Sequence, residues 1–215
     1  METKKRHISP SFTASHVESF LADRYNIKVS ATPLGSYKDQ NFLVETADSN
    51  RFVFKISDTS EPEDFIRARH RISSLLQQHK ISCPRIVPDR KGERLVTIVS
   101  EENIPFHAWL MTFIEGRLLS EISPRPEKLL SNLGAFLGKM DLALQYIDHP
   151  SLHRYLIWDI SNCLDLRQNT DFIRNKEDRN LVYHFFDRFS TGVAPHLSSL
   201  RRQVIYNDAN DNNIF

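Results

Sequence analysis

Between residues 28 and 57 the apolar side chains alternate with the period of two that a strand imposes, whereas beyond Ser120 they recur at helical spacing. A chain patterned this way builds a sheet in its first half and packs helices in its second. Segments 41–46 and 51–57 flank the turn-forming run Ala47, Asp48, Ser49 and Asn50, which reads as a hairpin. In its second strand Phe52, Phe54 and Ile56 share one face, and Val53 and Lys55 share the other. Further strands are expected at 95–99 and 108–113, the second running into Ile114, Glu115 and Gly116, where glycine permits a sharp change of direction. That change marks a lobe boundary, with 1–116 before it and 117–215 after it.

Helix signals fit the same division. Ser15 and Glu18 have capping-box spacing ahead of Val17, Phe20, Leu21 and Tyr25. Glu61, Pro62, Glu63 and Asp64 resemble a helix start with proline in the first turn and acids near the positive end of the dipole. Its apolar stripe is Phe65, Ile72, Leu75 and Leu76, and it should end near Lys80. Past the boundary, Leu129, Leu133, Phe136, Leu137, Met140, Leu144 and Ile147 form one stripe, and Leu181, Phe185, Phe186 and Phe189 another. A short apolar strand at 204–205 is expected to lead into the polar run 206–213. The fold class is therefore α+β: a β-rich N-terminal lobe, a hinge, and a helical C-terminal lobe.

A hydrophobic content of 40% with 26% charged residues is enough for a globular core. Twenty-eight basic and twenty-seven acidic side chains create no general field for nucleic acid or an anionic membrane. Cys83 and Cys163 form no CxxC pair and suggest neither a zinc site nor a disulfide framework, so a reducing cytoplasm fits best. No apolar run has the length of a signal peptide core or a membrane span. Nine histidines include no HExxH pattern, and Trp109 and Trp158 read as core residues. Asp159 reads as a helix cap or surface charge, with a substrate contact as the alternative.

Two features carry candidate chemistry. Asp208 and Asn213 lie five apart in one polar loop. An aspartate so placed can accept the proton of an attacking hydroxyl, and an asparagine oxygen can ligate Mg²⁺ beside phosphates. The same run also suits a plain turn, because Asn and Asp favour turns through local hydrogen bonds. Lys55 has two readings as well: a solvated charge on a strand, or a clamp on the phosphates of a nucleotide.

The segment 52–56 with Lys55, the segment 110–116, and Asp208 with Asn213 follow one another in the order and approximate spacing of the aminoglycoside phosphotransferase and choline kinase superfamily, which this chain resembles from about Val17 to Phe215. Within that superfamily, segments 39–44 and 204–211 look most like hydroxylysine kinases, and equally like kinase domains fused to class-III aminotransferase-like phospho-lyases. The resemblance implies a protein-kinase-like two-lobed fold and a nucleotide site. In that site Lys55 holds the phosphates, Ser36, Asp39, Gln40 and Asn41 cover them, and Met111, Thr112 and Phe113 line the base slot. It also implies Asp208 as catalytic base and Asn213 as a ligand of Mg²⁺, with ATP or GTP as donor. The implied reaction moves the γ-phosphoryl group to the hydroxyl of a small amino alcohol or hydroxy amino acid, with hydroxylysine favoured; the alternative is a kinase-like protein that binds nucleotide or a partner without turnover.

The sequence departs from the superfamily pattern in three places. Tyr206 stands where histidine usually precedes the catalytic aspartate by two residues. The helix after the lysine strand offers Arg69 or His70 where a glutamate partner is usual, with Glu63 as the substitute. The chain reaches Phe215 before the second metal-binding aspartate of the family, so by resemblance it reads as C-terminally truncated, with an incomplete helical lobe and weak or absent catalysis of its own. Stripes such as Leu181 to Phe189 should then expose apolar surface.

Overall fold

In this computed structural model the structure describes residues 7–215. The hairpin forms as expected: β2 (Gln40–Thr46) runs antiparallel to β3 (Arg51–Ile56), with Phe42 opposite Phe54. β1 (Val29–Leu34) adds to the outer edge of β2, and β6 (Pro105–Thr112) pairs with the other edge of β3. The far edge of β6 is shared by β4 (Ile86–Val87) and β5 (Val96–Val99), which gives a six-stranded antiparallel sheet. The mixture of this sheet with four α-helices bears out the α+β class.

Alternation along the central strands divides the apolar side chains between two faces. Phe42, Val44, Phe54, Ile56, Phe106, Ala108 and Leu110 pack with Val17, Leu21 and Tyr25 of α1 (Ala14–Tyr25). On the other face Trp109 packs with Ile66 of α2 (Glu63–Gln78), and Met111 and Ile86 join them. A third cluster joins α2 to α3 (Glu127–Leu144) through Leu76, Ile81, Met140 and Leu144. The chain falls into two compact units, one containing residues up to 151 together with 204–215, the other residues 152–203. The second unit holds a run of 3₁₀ turns at Ile160–Phe172 and α4 (Lys176–Gly192). No helix among the described residues is long and apolar enough to cross a membrane.

Several local expectations are corrected. Thr13, rather than Ser15, caps α1, its hydroxyl accepting from the His16 N–H at 3.2 Å. Glu18 serves the sheet instead, accepting from the Ala31 N–H at 2.8 Å. Pro62 is the cap of α2 and not part of its first turn. Residues 204–205 form no strand, because Val204 turns into the cluster between α2 and α3 and finds no ladder partner. Trp109 is buried as expected, but Trp158 is 76% exposed. The stripe on α4 is present as a helix with Leu181 and Phe185 exposed.

Candidate active site

Lys55 leaves the middle of β3 on the face shared with Trp109, flanked in register by Asn41 of β2 and Trp109 of β6. The side chain is only 16% exposed, and its Nζ lies 2.7 Å from Oδ2 of Asp39. Asp39 is fixed from a second direction, since Oδ1 accepts from the backbone N–H of Asp58 at 3.1 Å, just past the end of β3. Burial works to raise the Asp39 pKa, but the Lys55 ammonium, the Asp58 N–H and Arg69 outweigh it and hold the carboxyl below its ordinary range.

The lysine's partner therefore comes from the loop before β2, not from α2. Glu63 is instead bonded to Arg67 at 2.7 Å and lies 3.9 Å from His107. His70 packs edge-on against Trp109, with ring centroids 5.2 Å apart, and burial pushes its pKa down to about 4.

The other loop residues are placed differently from one another. Ser36 is exposed, just ahead of the bend at 37–39 that precedes β2. Gln40 is engaged at both ends of its amide with the backbone of Phe12, donating to the carbonyl at 2.9 Å and accepting from the N–H at 2.8 Å. Asn41 has its Oδ1 buried without a hydrogen-bond partner among the described residues. Met111 lies opposite Val53 and packs beside Trp109. Thr112 is tied to Arg85 through both its N–H and its hydroxyl, at 2.9 and 3.0 Å. Phe113 lies under the Arg51 guanidinium, 4.7 Å from the ring centroid.

A second group forms in the loop near Phe215. Asn213 donates from Nδ2 to Oδ2 of Asp208 at 2.6 Å, and Asn210 donates from Nδ2 to Oδ1 at 2.7 Å. Both carboxylate oxygens are thus engaged within one loop, and Asn207 before it adopts the left-handed region at φ 64°. Tyr206 donates to the Asn213 carbonyl at 3.3 Å, and burial together with the Asp208 carboxylate pushes its phenol pKa up. The loop is held against residues 116–125. The Leu119 N–H donates to the Ile214 carbonyl, the Ser120 N–H donates to the Asp211 carbonyl, and Arg125 pairs with Asp211. A Cβ on Gly116 would sit 3.0 Å from the Cβ of Phe215, a tighter contact than most side chains make, so the two segments approach closely there.

Because Nδ2 of Asn213 donates to Asp208, the atom of its amide that can ligate a cation is Oδ1. A hard divalent cation takes such amide and carboxylate oxygens, so these residues fit part of its shell. No group of three or more His, Cys, Asp or Glu side chains suited to a metal occurs among the described residues. Asn210 and Asp58 were not legible as contributors. Asn210 resembles any other turn residue, and Asp58 acts through its backbone.

A model of the phosphotransferase enzyme family matches residues 30–215. Hydroxylysine kinase of Bos taurus is 30% identical over 95% of this chain and 59% of its own length. The Mus musculus protein of the same name is 26% identical over the same shares. The chain thus spans 59% of the length of these relatives. Among solved structures, an amicoumacin kinase in complex with AMP-PNP and Ca²⁺ superposes with a TM-score of 0.61 at 19% identity, covering 89% of this chain and 55% of that one. A microcompartment-associated aminopropanol kinase gives 0.54 at 17% identity, covering 77% and 58%. The sheet and the helices packed on it are those of a kinase-like fold, and the chain belongs to the phosphotransferase enzyme family.

Proposed function

We propose that this chain is the nucleotide-binding part and catalytic loop of a small-molecule kinase that moves the γ-phosphoryl group of ATP or GTP to the hydroxyl of a small amino alcohol or hydroxy amino acid. Hydroxylysine is the favoured acceptor, on the strength of the relatives that carry that name. The observations that carry the reading are the ion pair of the mostly buried Lys55 on β3 with Asp39 and, separately, the hydrogen bond from Asn213 to Asp208 within one loop. In this reading the lobe boundary follows Gly116, Ser36 and Asn41 line the phosphate side, and Gln40 anchors the start of β2. Met111, Thr112 and Phe113 edge the base slot. Asp208 orients the acceptor hydroxyl and takes its proton, while Asn213 and Asp208 hold position through their mutual hydrogen bond. Mg²⁺, bound through Oδ1 of Asn213, would offset the charge that builds on the phosphates. Two free cysteines are consistent with a cytoplasmic setting, and a fused phospho-lyase would act on the product in a longer parent protein.

A second reading, nucleotide binding without turnover, is favoured by one observation: both oxygens of Asp208 are already satisfied by asparagines of its own loop. The test is transfer of labelled γ-phosphoryl from ATP and from GTP to 5-hydroxylysine, ethanolamine, homoserine and choline by the natural gene product that contains these residues. A phosphorylated hydroxylysine identifies the kinase. Magnesium-dependent nucleotide binding with no product from any acceptor favours the second reading, and no nucleotide binding overturns both.

A further inference from the structure

The Lys55–Asp39 contact does more than neutralise a charge, because of where the two residues come from. A lysine ammonium that must meet phosphate is a compact charge on a flexible stem, and holding that stem in one rotamer is the costly part of using it. In kinase-like folds a carboxylate on the helix after the lysine strand holds it. Here the acids of α2 are Glu63 and Asp64, both in its first turn, and Glu63 is bonded to Arg67. Farther along, α2 presents His70 to Trp109, on the face from which Lys55 emerges, and Arg69 acts electrostatically on Asp39 as a second cation.

We propose that Asp39 is the positioning residue for Lys55: it replaces the helix-borne acid with an acid on the phosphate-covering loop, so that loop and lysine are set by one ion pair. This rests on the reading of Lys55 as a phosphate-binding residue. The geometry supports it at both ends. Oδ2 meets Nζ at 2.7 Å, while the Asp58 N–H fixes Oδ1. Asp39 is 17% exposed at its side chain and Lys55 16%, so neither is a surface charge free to wander. Nζ carries three donors, and one bond to Asp39 leaves two for phosphate oxygens. Trp109, opposite Lys55 in register, lies under the ammonium, with Nζ 6.0 Å from the ring centroid. Asp39 itself would not touch phosphate, since two anions in contact repel. This distinguishes it from Ser36 and Asn41, its neighbours in the same loop.

The experiment measures equilibrium binding of Mg·ATP and of adenosine to the unmutated chain, Asp39→Asn, Asp39→Glu, Lys55→Met and the Asp39→Asn/Lys55→Met double variant. Adenosine reports an intact base slot, so it separates misfolding from loss of the lysine. Asp39→Asn should bind Mg·ATP about tenfold more weakly with adenosine unchanged, and Asp39→Glu should recover most of the loss. In the Lys55→Met background Asp39→Asn should change nothing further, because its effect passes through the lysine. Unchanged or tighter Mg·ATP binding by Asp39→Asn overturns the inference, as does an equal loss in both backgrounds. If the unmutated chain binds neither Mg·ATP better than adenosine nor Mg·GTP better than guanosine, the phosphate-site reading itself fails, a separate result.

Discussion

The sheet-bearing unit and the unit formed by residues 152–203 carry apolar patterns of similar strength in sequence, yet only the first buries them. In the sheet, Phe42, Phe54, Val44 and Ile56 are fully buried, because strands present their apolar face to α1 all at once. In α4 no residue is buried, and Phe185 is 58% exposed. A stripe specifies which side of a helix will be covered, but the covering partner has to be supplied by the rest of the chain.

The contrast is open to attack by mutation. Phe54→Ala should cost about 4 kcal/mol of folding stability, whereas Phe185→Ala should cost less than about 1 kcal/mol. Chemical denaturation checks both, and equal costs would mean that the α4 face is covered in solution. Charged pairs should divide the same way. Asp89, buried against Arg24 at 2.6 Å and accepting the N–H groups of Lys91 and Glu93, should cost about 3 kcal/mol as Asp89→Ala. Arg167→Ala, which removes the exposed pair with Asp187, should cost less than about 1 kcal/mol.

Acid sharpens the comparison further. His70 has a folded pKa lowered by burial to about 4, so between that value and the unfolded value the unfolded chain binds the extra proton. Its contribution to stability is complete above about pH 6.5 and is lost as pH falls towards 4, by about 3 kcal/mol. Denaturation midpoints across that range should show the loss, and His70→Phe should flatten it. The smallest effects should be alike in the two units, because a cap acts locally. Thr13→Ala on α1 and Asn175→Ala on α4 should each cost about 1 kcal/mol, read by thermal melts.

Much of this architecture was legible in advance. The hairpin and the mid-strand lysine follow from alternation and turn chemistry, and both stripes beyond Gly116 became helices. What escaped was set by tertiary partners. Glu18 had the spacing of a capping box but found a sheet N–H, and 204–205 looked like a strand but filled a helix cluster. At the site, Asp208 and Asn213 could be paired from their spacing, since one loop holds both. The partner of Lys55 could not, because Asp39 reaches it across a loop whose path no periodicity records.

The most direct test of the central claim compares Asp208→Asn with the unmutated natural gene product in two assays, Mg·ATP affinity and γ-phosphoryl transfer to hydroxylysine. If Asp208 orients and deprotonates the acceptor, affinity should stay within about threefold while turnover falls by about 100-fold or more. Turnover retained in Asp208→Asn would contradict the account.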